Sequence, residues 1–289
     1  MTSAVLLYLG GVARAWRRAG IGRGISWGRA IAGSLGFIAL GIALSPPLEA
    51  LSALLFSAHM AQHLLLVLVA APLLVAGVPL LALLWLLPSG RRRTVTMTLK
   101  RSRAGGLLWM SATHPVVAWS AFVLLLWLWH LPSVYEAALT RGSVHVIEHA
   151  SLTGAAMLFW WVLLQPLGRR RLAPIAAPLF LFLATLQGGV LGAMITLSPE
   201  PWYDQYRRIA QVQGYSAATD QQLAGLLMWI PPSAVYLGVA SWMLYRSLTA
   251  SRAGHGLSDP RPAARLNALL ALGVGLSMLG AAAVKRTLT

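Results

Sequence analysis

The chain has 289 residues, a formal net charge of +16, 57% apolar and only 10% charged residues, 12 Trp and no Cys. A soluble domain is nearer a quarter charged, so the composition excludes an ordinary soluble protein. The missing cysteines exclude disulfides, thiolate metal sites and cysteine-based copper shuttling. In a soluble chain the basic excess would invite nucleic acid. Between apolar runs it instead reports which connections face the cytoplasm, and no nucleic-acid partner is expected.

Residues 4–13 (AVLLYLGGVA) are apolar but too short to cross about 30 Å of hydrocarbon. Arg14, Arg17, Arg18 and Arg23 follow at once. The basic start and small-residue cleavage site of a signal peptide are lacking, so a short, partly inserted N-terminal helix is expected. Apolar runs long enough to span follow at 28–47, 57–87, 112–131, 144–166, 174–197, 220–246 and 266–284. The second carries Pro72, Pro79 and Pro88, which predict a kink or an early end. The fold class expected is all-α: a polytopic transmembrane helical bundle of seven spans plus a short N-terminal helix, forming one domain over residues 1–289.

Alternate connections hold the basic residues. Arg14, Arg17, Arg18, Arg23 and Arg29 precede the first span, and Arg91, Arg92, Arg93, Lys100, Arg101 and Arg103 lie between the second and third. Arg169, Arg170 and Arg171 lie between the fourth and fifth, and Arg246, Arg252, Arg261 and Arg265 between the sixth and seventh. The positive-inside rule makes these connections cytoplasmic. The suggestive polar residues then collect at the outer ends of the spans, in one layer fed by five helices. Residues 199–206 (PEPWYDQY) form an outer loop placed to cover that layer or to meet a partner.

Two His-x-x-x-His pairs are the sharpest motif: His59 with His63 in SAHMAQHLLL, and His145 with His149 in VHVIEHASL. Residues four apart share a helix face, separated by about 6 Å along the axis. Neutral imidazole suits Cu, Zn, Fe and Ni, so the pairs are candidate metal or cofactor ligands. Neither pair fits the His-Glu-x-x-His zincin pattern. Glu148, three residues after His145, is placed to orient a ligating histidine or to favour the helix N-terminus. His130 in WLWHLPSVY is a third-helix ligand or a hydrogen-bond partner within an aromatic belt. His114 reads as structural, and His255 has no assigned role. Met60, Met194 and Met228 are thioethers that could serve Cu(I), with Met60 and Met228 beside the polar layer, although methionine in an apolar helix is mostly packing. Asp220 opens a span as a cap or, facing the bundle interior, as a functional acid. Gly188, Gly192 and Ala193 permit close helix approach. No phosphate loop, nucleotide fingerprint or nucleophile triad is present.

The stretches SAHMAQHLLL (57–66), WHLPSVYEAAL (129–139), HVIEHASL (145–152), GAMITLSPEPWY (192–203) and DQQLAGLLMWIPP (220–232) resemble, in order and spacing, the signature blocks of the multi-span CtaG family. The likeness covers about residues 45–245. An unrelated single-span copper chaperone of the same name uses cysteines, which this chain lacks. The resemblance implies a non-catalytic protein of the bacterial plasma membrane that helps to mature a caa-type haem–copper cytochrome c oxidase by handling copper. Its partners would be oxidase subunits and an extracytoplasmic copper chaperone. The family blocks contain His59, Met60, Gln62, His63, His130, His145, Glu148, His149, Asp220, Gln221, Met228 and Trp229. Family members tend to carry a full first span, where this chain starts later.

The leading expectation is therefore a site for copper, as Cu(I), at the outer end of the bundle. His59, His63, His145 and His149 would be its ligands, with His130 as a further imidazole. Met228 or Met60 would be the soft donor, and Glu148, Asp220 and Gln62 would orient the ligands. Three rivals stand beside it: a membrane haem-b electron carrier with axial histidines from separate helices, a copper transporter, which would need polar positions continuing inward, and a scaffold without cofactor.

Overall fold

The computed structural model describes residues 2–164, 172 and 176–254. The chain divides into two compact units, Met1–Ser241 and Trp242–Thr289, and the second contributes to the described residues only the end of the last helix. All regular structure among the described residues is helical. Helices α1 (Thr2–Ala19), α2 (Trp27–Ala43) and α3 (Pro46–Leu54) precede the long α4 (Phe56–Gly77). Next come α5 (Pro79–Leu86), α6 (Ser89–Arg101), α7 (Arg103–Ala112), α8 (Pro115–Trp129) and α9 (Pro132–Thr140). The last four are α10 (Gly142–Leu164), α11 (Ala176–Leu197), α12 (Asp204–Gln213) and α13 (Ala217–Gly254).

Four helices are long and apolar enough to cross a membrane: α4, α10, α11 and residues Ala217–Tyr245 of α13. Two bent pairs, α2 with α3 (47°) and α7 with α8 (62°), raise the number of candidate spans to six if each pair is one span. Both bends fall at proline. Ser45 before Pro46 and His114 before Pro115 are extended, with ψ of 144° and 132°, because the proline ring excludes helical geometry from the preceding residue. The first six expected spans correspond to these helices and pairs. The seventh, 266–284, the Arg169–Arg171 connection and His255 lie outside the described residues.

The second expected span ends earlier than residue 87. Helix α4 stops at Gly77, Val78 adopts a left-handed φ of 45°, and Pro79 opens α5. Pro72 does not break α4, because residues Leu65–Ala70 run as a π-helix. In that wider register the Val67 carbonyl would take the N–H of residue 72, which proline does not have. The Trp160 indole N–H donates to it instead, at 2.9 Å.

Glycines set the closest crossings. A Cβ on Gly36 would sit 2.8 Å from the Leu74 nitrogen, and one on Gly33 would overlap the Tyr8 ring. On the other side, a Cβ on Gly192 would lie 3.0 Å from the Gly225 carbonyl oxygen, so α11 and α13 meet backbone to backbone there. Gly188 faces open space and lines a small apolar cavity together with Met60, His63, His130, Met228 and Trp229.

Candidate metal centre

The start of α4 is held from a distance. Helix α4 has no capping side chain of its own, since Leu55 occupies the cap position. Asp220 of α13 supplies the missing acceptor: its carboxylate takes the Phe56 N–H at 2.7 Å, the Ser57 N–H at 3.2 Å and the Ser57 hydroxyl. The free N–H groups of a helix start favour such a carboxylate. Asp220 thus fixes where His59 and His63 point without reaching them.

An aromatic floor lies beneath. Phe56, Tyr135, Tyr203 and Tyr206 are buried together with Met60 and Met228. The Tyr203 hydroxyl donates to the His130 carbonyl (3.0 Å) and the Tyr206 hydroxyl to the Ser52 carbonyl (2.7 Å). Burial raises both phenols above their ordinary pKa, so they remain neutral donors. Gln221 accepts the Trp202 N–H at 2.7 Å, and Glu136 accepts the Asp204 N–H at 2.8 Å. These bonds tie residues 202–204 to α9 and α13.

Helices α4 and α10 bring their N-terminal portions together, and His59, His63, Glu148 and His149, all buried, offer ligand atoms that lie within 4.8 Å of one another. His59 Nε2 and His63 Nε2 are 2.9 Å apart, and each is 3.6 Å from Glu148 Oε1. An ion held tetrahedrally at the usual imidazole distance of about 2.0–2.1 Å separates its ligand atoms by about 3.3 Å. The observed triangle brackets that value. Both oxygens of Glu148, His59 Nδ1 and His130 Nε2 are buried without a hydrogen-bond partner. A buried carboxylate without partners is costly, and a cation among these four groups removes the cost. The residues therefore fit a metal ion.

A second group adjoins the first. Glu49, His145 and His149 also bring ligand atoms within 4.8 Å of one another. Glu49 Oε1 lies 3.1 Å from His145 Nδ1, and His145 Nε2 lies 3.1 Å from His149 Nε2. Gln62 donates to the other Glu49 oxygen at 2.7 Å and to the Ala43 carbonyl at 2.8 Å, tying α4 to the end of α2.

Measured against the sequence, His59, His63 and His149 share one pocket, and His145 sits at its edge. Glu148 stands among the possible ligand atoms rather than behind them. His130 has Nδ1 2.7 Å from the Leu126 carbonyl, which puts the proton there and leaves a buried lone pair on Nε2. Its ring centre is 6.4 Å from that of His63. Met60 and Met228 line the apolar cavity beside His63 and His130, whereas Met194 is 47% exposed. Gln62 acts on Glu49. Glu49 is not among the residues that the sequence motifs single out. The available signal was its position in the first turn of a proline-started helix leading directly into SAHMAQH.

Neither the curated proteins nor the solved structures give a match to the chain. A family model does, over residues 6–250, a stretch that contains both histidine couples, the aromatic floor and the capping aspartate. By that match the chain belongs to the Caa3_CtaG family, the cytochrome c oxidase caa3 assembly factors.

Proposed function

We propose that this protein holds copper, as Cu(I), among His59, His63, Glu148 and His149 and delivers it to a haem–copper cytochrome c oxidase during assembly. The observation that carries the reading is Glu148, fully buried, with no hydrogen-bond partner on either oxygen and ringed by three imidazoles. Its single negative charge balances a monovalent ion; a divalent ion would leave a net charge in the apolar interior, which is costly. Imidazole suits copper, and His130, Met60 and Met228 border the site as further soft donors on the cavity side.

The rivals fare worse. Axial histidines from separate helices need the thickness of a macrocycle between them, whereas the ring centres of His59 and His63 lie only 5.5 and 5.1 Å from that of His149 across the crossing. A transporter needs polar groups along its path, and α4 carries none from Leu64 to Gly77. The family role is non-catalytic assembly.

The charge sorting supports a multi-pass protein of the bacterial plasma membrane with Arg-rich connections in the cytoplasm and the histidine site facing outward. The apolar run of the sequence at 266–284 supports a seventh span. The partners are oxidase subunits and an extracytoplasmic copper chaperone. Copper analysis and a visible spectrum of the purified protein test the reading. Wild type should hold stoichiometric copper and show no Soret band, and His63→Ala or His149→Ala should stay folded and lose the metal. Stoichiometric copper in a variant lacking His59, His63, His145 and His149 would overturn it.

A further inference from the structure

A cleft runs between α3, α9 and the start of α10, lined by Glu49, Ala50, Ser52, His59, Gly142 and His145 among others. Ala50 and Gly142 at its rim are exposed, while His59 at its floor is 1% exposed. Glu49 and His145 stand between the two, with side chains 46% and 18% exposed. The cleft is therefore a way in, and it ends on the buried group.

The contacts along this way form a sequence. Glu49 faces His145 Nδ1, and a carboxylate can only accept, so the His145 proton sits on Nδ1 and the lone pair on Nε2. That lone pair points at His149 Nε2, 3.1 Å away. A carboxylate that fixes the tautomer of a histidine and raises its basicity is a recurrent support of metal ligands. Gln62 holds the second Glu49 oxygen, so the carboxylate is itself held in place. His149 belongs to both groups of converging ligand atoms.

We propose that His145 and His149, supported by Glu49, form a receiving station at the mouth of the cleft, and that His149 hands the ion from there to His59, His63 and Glu148. This rests on the copper reading given above. Each station has one carboxylate, so a monovalent ion is charge-balanced both where it enters and where it rests. The single Nε2 lone pair of His149 serves one station at a time, so the protein holds one ion, and transfer is an exchange of imidazoles: His145 leaves as the buried ligands bind. Neither a free ion nor a change of oxidation state is involved.

Stopped-flow loading of the full-length protein in detergent, with Cu(I) supplied from a weak chelator and Ag(I) as a redox-inert monovalent probe, tests this. Glu49→Gln and His145→Ala should slow loading severalfold, because the station at the cleft mouth loses a ligand or the carboxylate that orients it. The amount bound at saturation should change little, and the affinity should fall by less than the rate. Ala50→Trp, at the exposed rim and itself without a ligating atom, should slow loading likewise by narrowing the cleft. Unchanged loading rates in all three variants, or an affinity that falls as far as the rate in Glu49→Gln and His145→Ala, would overturn the receiving station. A wild-type protein that binds neither ion would instead overturn the copper reading itself.

Discussion

Tyr8 and Glu148 are both buried side chains with oxygen at a helix crossing. The Tyr8 hydroxyl sits 2.8 Å from the Arg29 carbonyl and 3.2 Å from the Gly77 carbonyl, in a seam where Gly33 and Gly36 let helices touch. Glu148, at the α4–α10 crossing, has no hydrogen-bond partner for either oxygen. A seam built only to hold helices together satisfies its polar atoms and fills its space. A crossing that leaves a carboxylate, His59 Nδ1 and His130 Nε2 unpaired is built for something that arrives later.

That contrast can be broken in three places. The largest effect is expected at Gly33→Leu, because the new Cβ alone overlaps the Tyr8 ring. It should cost upward of about 3 kcal/mol and abolish cooperative thermal unfolding in detergent. Wild-type stability in that variant would mean the seam is loose. Next comes Glu148→Gln, which should move two measurements in opposite directions. Copper affinity should fall at least about 100-fold, more than loss of a mere supporting group. The metal-free protein should gain about 1–3 kcal/mol, because a buried carboxylate without a hydrogen-bond partner is gone. A variant that loses stability without metal would place Glu148 among the satisfied groups, like Tyr8. The smallest effect is expected at Asp220→Ala. Removing the cap from α4 should cost about 0.5–2 kcal/mol and weaken copper binding only modestly, since Asp220 touches the helix start and not the ligands.

Much of this was legible beforehand. Apolar runs locate the helices, because hydrocarbon admits few charges, and Pro79 marks the end of α4, whereas the bends after Ser45 and His114 fall where no break was expected. Spacing by four puts His59 with His63 and His145 with His149. What spacing does not carry is how separate helices meet. Glu148 follows His145 by three residues and precedes His149, which fits orienting as well as ligating, and only the α4–α10 crossing turns it toward His59 and His63. Glu49 reaches His145 because the chain bends by 47° between α2 and α3. Asp220 looks like a cap for its own helix, and its actual partner, Phe56, lies 164 residues away. Val78 at φ 45° and the π-helical turns have no local sequence signal beyond nearby prolines.

The π-helical stretch at Leu65–Ala70 lies directly after the second histidine of α4. Each residue advances a helix by about 100°, so one surplus residue there sets the azimuth of His59 and His63 independently of the membrane-buried half below. Insertion or deletion of one residue in this stretch would swing both rings out of phase with α10 while the crossing below it, where Gly36 meets Leu74 and Gly33 meets Gly77, keeps its register. The bulge is thus a phase adjuster, letting one helix answer to lipid packing at one end and to an ion at the other.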